Sequence, residues 1–121
     1  MAVKISQNIQ SLTEQLLLQQ YTPPSVLVSD KGDIIFINGH TGKYLEPAAG
    51  RANMNIFAMT RDGLRNEFSK GFRKALQTHE KTVLSNVMVE INGVKCHFDV
   101  TIKWIEKPAG LKGMFIVVFQ D

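Results

Sequence analysis

At 121 residues, 44% of them hydrophobic, the chain has enough apolar material for one core and leaves little room for a second domain. Its net charge of +3 comes from 14 Lys and Arg that are scattered apart from one modest cluster between Arg61 and Lys74, which argues against a nucleic-acid-binding surface. The lone cysteine, Cys96, rules out an internal disulfide framework and suits a reducing cytoplasm, and neither a membrane span nor a secretory leader is expected.

The first element is a helix over about Ile5 to Gln20. Ile5, Ile9, Leu12 and Leu16 alternate in steps of four and three and share one stripe. Ser11 and Glu14 have capping-box spacing, which leaves the start open between Ser6 and Ser11. Tyr21-Thr22-Pro23-Pro24 ends the helix, because proline cannot continue it. Ser25–Ser29 and Ile34–Ile37 are short apolar runs flanking the turn cluster Asp30-Lys31-Gly32-Asp33, which predicts a β-hairpin in a sheet at least partly covered on both faces.

Asn38 to Asn55 has no period and contains Gly39, Gly42, Pro47 and Gly50, so loops and short turns are expected, with Asn55 capping a brief turn through Ile56, Phe57 and Met59. Thr60 to about Thr78 is a long amphipathic helix. Leu64, Phe68, Phe72 and Leu76, joined by Ala75, face the core, while Arg61, Arg65, Lys70, Arg73 and Lys74 lie mostly on the solvated side. Gly63 and Gly71 weaken it and mark places where something packs closely.

Three strands close the chain. Val83–Ile91 ends with Val87, Val89 and Ile91 on one side, and Asn92-Gly93 is a strong hairpin turn. In Lys95–Ile105 the residues Cys96, Phe98, Val100, Ile102 and Trp104 face one way, and Lys95, His97, Asp99, Thr101 and Lys103 the other. After Pro108-Ala109-Gly110, the run Met114–Phe119 is apolar on both faces, as in a central strand. The expected architecture is α+β: a five-stranded antiparallel sheet with helices on one face, preceded by an N-terminal amphipathic helix.

Two strands, a helical insert ending in a long helix, and three further strands resemble the PAS fold over roughly Ser25 to Asp121. YTPPSVLV, TGKYLEPAAG, DGLRNEF and the closing IVVFQD further resemble the PAS segment of chemotaxis-type methylesterase and methyltransferase fusions, which often continue into a sensor histidine kinase. That resemblance implies a cytoplasmic, non-catalytic sensing or dimerising segment, with residues 1–22 as N-terminal helix and linker and 23–121 as the PAS domain. It implies a homodimer, contacts with adjacent domains of the same polypeptide, and room for a small-molecule ligand. Competing readings are a ligand-free dimerisation element and a small α+β enzyme of dehydratase or thioesterase type.

The residues weigh against chemistry. Cys96 sits on a strand between Lys95 and His97, unlike the helical reactive cysteine of flavin photoreceptor PAS domains, and reads as a small core hydrophobe. His79 is the one histidine with a plausible direction for haem ligation, yet its place at a helix end suits the helix dipole better; His40 and His97 read as loop and surface. Gly39-His40-Thr41-Gly42-Lys43 lacks the spacing and the following Ser or Thr of a phosphate loop. No cofactor, metal or catalytic pair is expected. Ligand-pocket candidates are Phe57, Phe68, Phe72, Leu76, Phe98, Val100, Ile102 and Trp104, converging between helix and sheet. Dimer-interface candidates are Ile5, Ile9, Leu12 and Leu16.

Overall fold

Pro23 and Pro24 separate a helix from everything that follows it. In the computed structural model, which describes residues 2–46 and 54–121 with side chains from residue 8 onward, helix α1 runs Ala2–Tyr21. Ser11 therefore lies in its middle and not at its start. Every α1 residue from 8 to 21 is exposed, with Ile9, Leu12 and Leu16 at 57%, 56% and 48%. The side chain of Ile5 lies outside the described residues. Among those that are described, one hydrogen bond ties α1 to the sheet, from Asn38 Nδ2 to the Leu18 carbonyl at 3.2 Å.

Strands β1 (Ser25–Val28) and β2 (Ile34–Asn38) form the first hairpin. Its turn is built by Ser29, whose hydroxyl accepts from the Lys31 and Asp33 amides at 3.2 and 3.1 Å, and by Gly32, whose φ of 87° a side chain would resist. Helix α2 (Ile56–Met59) is capped as expected by Asn55, whose Oδ1 accepts from the Phe57 amide at 3.0 Å. Its Nδ2 donates to the Lys31 carbonyl and to Asp33, which fastens α2 to the hairpin turn.

Helix α3 (Asp62–Thr78) follows, then β3 (Thr82–Ile91), β4 (Val94–Trp104), a 3₁₀ turn over Ala109–Leu111, and β5 (Phe115–Gln120). Asn92 and Gly93 carry φ of 52° and 80°, the signature of the tight turn joining β3 to β4. β3 bulges after Leu84; Asn86 takes φ 53°, and its amide donates to Asp99 Oδ1 at 2.8 Å.

All strand pairs are antiparallel, in the order β2-β1-β5-β4-β3. β5 is central, as its two-sided apolar run requires: Phe115, Val117 and Phe119 are buried on the helix side, while Ile116 and Val118 are half-buried on the other. Helix α3 covers β3 and β4 on that helix side, and the core lies between them. The expected partial cover on both faces holds at β1, where Val26 and Val28 are buried on one side and Leu27 is half-buried on the other, but β2 departs from it. There Ile35, Phe36 and Ile37 are 50%, 60% and 38% exposed, because no described element packs over this edge strand. No helix among the described residues is long and apolar enough to cross a membrane.

Candidate functional site

The interior where a ligand would sit is formed by α2, α3 and the inner face of the sheet. Phe68, Phe72, Phe98, Val100 and Ile102 are all 3% exposed or less and belong to one cluster, as their spacing predicts. Phe57 is half-buried and closes the cluster from α2, its ring edge-on to Phe72 at 5.1 Å and tilted on Phe68 at 5.7 Å. Phe72 in turn meets Phe115 at 4.5 Å.

One candidate falls outside the cluster and another lies at its margin. Leu76 is 40% exposed, and the interior position in that turn belongs to Ala75. The cause is the step of four: with 3.6 residues per turn each step advances about 40°, so Leu76 has rotated about 120° from Leu64, whereas Ala75 returns to within about 20°. Trp104 is half-buried at the last position of β4 and packs against the margin of the cluster. Its ring stacks on that of His79 at 3.9 Å and 4° interplanar angle. His79 itself is exposed, takes the left-handed φ of 58° that ends α3, and donates its amide to the Ala75 carbonyl at 2.8 Å. It therefore points at Trp104 on the surface and away from the interior. His97 and His40 are exposed, and Cys96 is half-buried against the core.

The irregular segment supplies a wall that no periodicity announced. Tyr44 and Leu45 are 5% and 3% exposed. The Tyr44 ring lies parallel to Phe119 at 4.7 Å and edge-on to Phe98 at 4.7 Å, closing one end of the interior. Its hydroxyl donates to Asp121 Oδ1 at 2.8 Å, and the Lys43 ammonium pairs with the other carboxylate oxygen. Burial, then the bond to the Asp121 carboxylate, push the Tyr44 phenol up to about 12. Hydrogen bonds from Lys43 and Tyr44 hold the Asp121 carboxyl below its ordinary value.

Arg61, expected on a solvated helix face, instead precedes α3 and clamps this segment. Its guanidinium donates to the Lys43 carbonyl at 2.9 Å and the Gly42 carbonyl at 2.7 Å, and pairs with Glu46 at 3.2 Å. The start of α3, the 41–46 segment and the end of β5 are thus joined by one polar chain lying over an aromatic wall. An arginine beside a helix start gave no hint of this in sequence, since its partners are backbone carbonyls.

Open depressions are found among the described residues. A trough of about 1040 Å³ lies on the sheet face away from α3, with Leu27, Phe36 and Ile116 in its floor and His79, Trp104 and Lys107 along its end. A polar cleft of about 480 Å³ lies between Arg61–Gly63 and Met88–Glu90. A crevice of about 370 Å³ opens between the hairpin turn and α3, over Phe57 and Phe72. Among the described residues, no group of three or more His, Cys, Asp or Glu is placed to hold a metal.

The chain matches no protein-family model and no curated protein sequence. Solved structures do match its fold. The PAS domain of nitrogen regulation protein NR(II) from Vibrio parahaemolyticus superposes with a TM-score of 0.57 at 15% identity, over 89% of this chain and 96% of that one. The PAS-B domain of Drosophila melanogaster Cycle superposes with a TM-score of 0.55, at 10% identity with bound ethylene glycol and at 11% in a variant with bound glycerol; both alignments cover 80% of this chain and 97% of the other. The fold is therefore the PAS fold.

Proposed function

We propose that this domain is a non-catalytic sensory module that dimerises through α1, and that it serves a larger signalling protein of the chemotaxis-type methyltransferase or histidine-kinase class. Residues 1–22 are the dimerising helix and linker, and residues 23–121 the sensing body. The observation that carries this reading is the pairing of two uncovered apolar surfaces on one chain. Ile9, Leu12 and Leu16 stand about half exposed along α1. The sheet face opposite α3 presents Leu27, Phe36 and Ile116 in an open trough. Burying a large apolar side chain is worth roughly 1.5–3 kcal/mol, so each surface favours a cover, and a two-fold pairing of identical chains lets one cover the other. The PAS fold and the filled aromatic interior support a transmitting role, since a packed core passes strain between its walls. The reading also places the domain in the cytoplasm, in keeping with its single unpaired cysteine.

Sedimentation of the whole chain against a version beginning at Tyr21 tests the proposal. The whole chain should run as a dimer at tens of micromolar, a range that suits weak association on the affinity scale, and the shortened one as a monomer. Monomers in both cases would overturn it and leave α1 without a role in assembly. A dimer whose melting temperature no metabolite raises would favour a purely structural dimerisation element, because a ligand that binds only the native state must raise it.

A further inference from the structure

We infer that the crevice between the first hairpin turn and α3 is a binding site for a zwitterionic ligand with an apolar tail, of which an apolar α-amino acid is the simplest case. The inference rests on reading the domain as sensory, and it names the class of ligand sensed. The crevice is lined by Asp30 on the turn, by Ser69, Arg73 and Leu76 on α3, and by Phe57 and Phe72 beneath. Its two walls carry opposite charges. Among the described residues, neither the Asp30 carboxylate nor the Arg73 guanidinium makes an ion pair or a side-chain hydrogen bond, so both charges face the crevice without a protein counter-charge. Ser69 lies four residues before Arg73, so its hydroxyl shares the Arg73 side of the helix.

A ligand that is only an anion would meet Asp30 as a like charge, and one that is only a cation would meet Arg73 in the same way. A molecule carrying both a carboxylate and an ammonium offers a counter-charge to each wall. The floor sets the rest of the ligand. Leu76 offers apolar surface that is 40% exposed, and Phe57 is half-buried, so a branched aliphatic side chain would remove wet apolar area on both partners. The site is also joined to the scaffold. A Cβ on Gly32 would lie 2.6 Å from the Phe57 ring, which shows how tightly the turn bearing Asp30 rests on that ring. Asn55 ties the same turn to α2. Occupancy would therefore be felt by the β1–β2 hairpin, next to the root of α1.

The test is a two-dimensional amide NMR titration of the whole chain with L-leucine, glycine, 4-methylpentanoate (the carboxylate alone) and isopentylamine (the ammonium alone). L-leucine should give saturable shifts confined to the surroundings of Asp30, Phe57, Ser69, Arg73 and Leu76, with a Kd of order millimolar as befits an open site. Glycine should bind at least tenfold more weakly, and each singly charged compound likewise. Asp30→Asn and Arg73→Gln, both at the surface and expected to keep the native spectrum elsewhere, should each weaken L-leucine binding at least tenfold. No saturable shift, shifts centred elsewhere, equal binding of 4-methylpentanoate, or unchanged binding by both variants would overturn the inference. Binding by a chain that sediments as a monomer would leave this site standing and remove the dimer; a dimer with a silent crevice would do the opposite.

Discussion

Replacing Gly63 by alanine should destabilise the domain, against the usual rule for a glycine in a helix. Alanine is favoured over glycine by about 1 kcal/mol in a helix interior, and by less in the first turn, where Gly63 sits as the second residue of α3. The structure opposes that gain. A Cβ at this position would lie 2.5 Å from the Met88 carbonyl oxygen and 3.2 Å from the Val89 Cα, both backbone atoms of β3. They cannot swing aside as a side chain can. Overpacking of this kind costs typically about 1–3 kcal/mol, and an unyielding neighbour puts Gly63→Ala in the upper part of that range. The net loss is then about 1–2 kcal/mol, or a fall in Tm of roughly 4–8 °C at about 4 °C per kcal/mol for a domain of this length. Thermal unfolding followed by circular dichroism measures it. Gly71→Ala is the internal comparison, because its Cβ would meet the Leu84 Cδ2 at 2.9 Å, the mobile end of a side chain; its change should be smaller. Gly110→Ala, with nothing within 4 Å, should leave Tm unchanged. A Tm for Gly63→Ala at or above that of the native chain would refute the close approach of α3 to β3.

The strand alternation in β4 makes Phe98→Ala costly, by about 3–5 kcal/mol as for other buried aromatics, while exposed His97→Ala should stay within about 0.5 kcal/mol; equal costs in urea unfolding would show that the faces are misassigned. In a Tyr21→Phe background, where Tyr44 is the one tyrosine left, tyrosinate absorbance should rise with a midpoint near 12, and Asp121→Asn should move it toward the ordinary 10.0 without reaching it, since burial is the larger cause. A Tyr44 midpoint at the ordinary value would remove its place in the wall. Because the folded value is raised, the stability tied to the Tyr44 phenol is whole below pH 10.0 and is lost as pH climbs toward about 12. Asp121 has the opposite sign: its carboxyl is lowered from 3.8, so its contribution holds above that pH and is lost as pH falls through the folded value. Lys43→Ala should flatten the acid limb of a stability–pH profile, and an unchanged limb would count against the pair.

Much of this was open to reading in the chain itself, and the failures have physical causes. The alternation from Cys96 to Trp104 placed Phe98, Val100 and Ile102 inside because a strand face has a strict period of two. Asn92-Gly93 located its turn because few residues tolerate positive φ in succession. The unbroken apolar run of β5 announced a central strand. By contrast, a similar run in β2 proved to be an exposed edge, since consecutive apolar residues do not say whether anything lies over them. Leu76 drifted off the helix stripe by geometry alone. Tyr44 and Leu45 were out of reach because one short turn has no period, and Arg61 because its partners are carbonyls that every residue possesses. Of the ligand-pocket candidates, Phe57, Phe68 and Phe72 meet ring to ring, with Phe98, Val100 and Ile102 in the same cluster and Leu76 outside it, and the open crevice lies at the edge of those rings, between Asp30 and Arg73, which come from segments more than 40 residues apart in sequence.

The way α1 is rooted has a mechanical consequence. Twenty residues of helix extend about 30 Å, and the described fastening of that length to the sheet is a single bond from Asn38, next to a pair of prolines. The arrangement is a lever with a short inner arm. A rotation of about 10° at the Asn38 end carries the far tip of an arm about 30 Å long sideways through about 5 Å. Movements of the hairpin too small to disturb the aromatic interior would therefore arrive at the N-terminal end magnified into a sideways sweep of several ångströms.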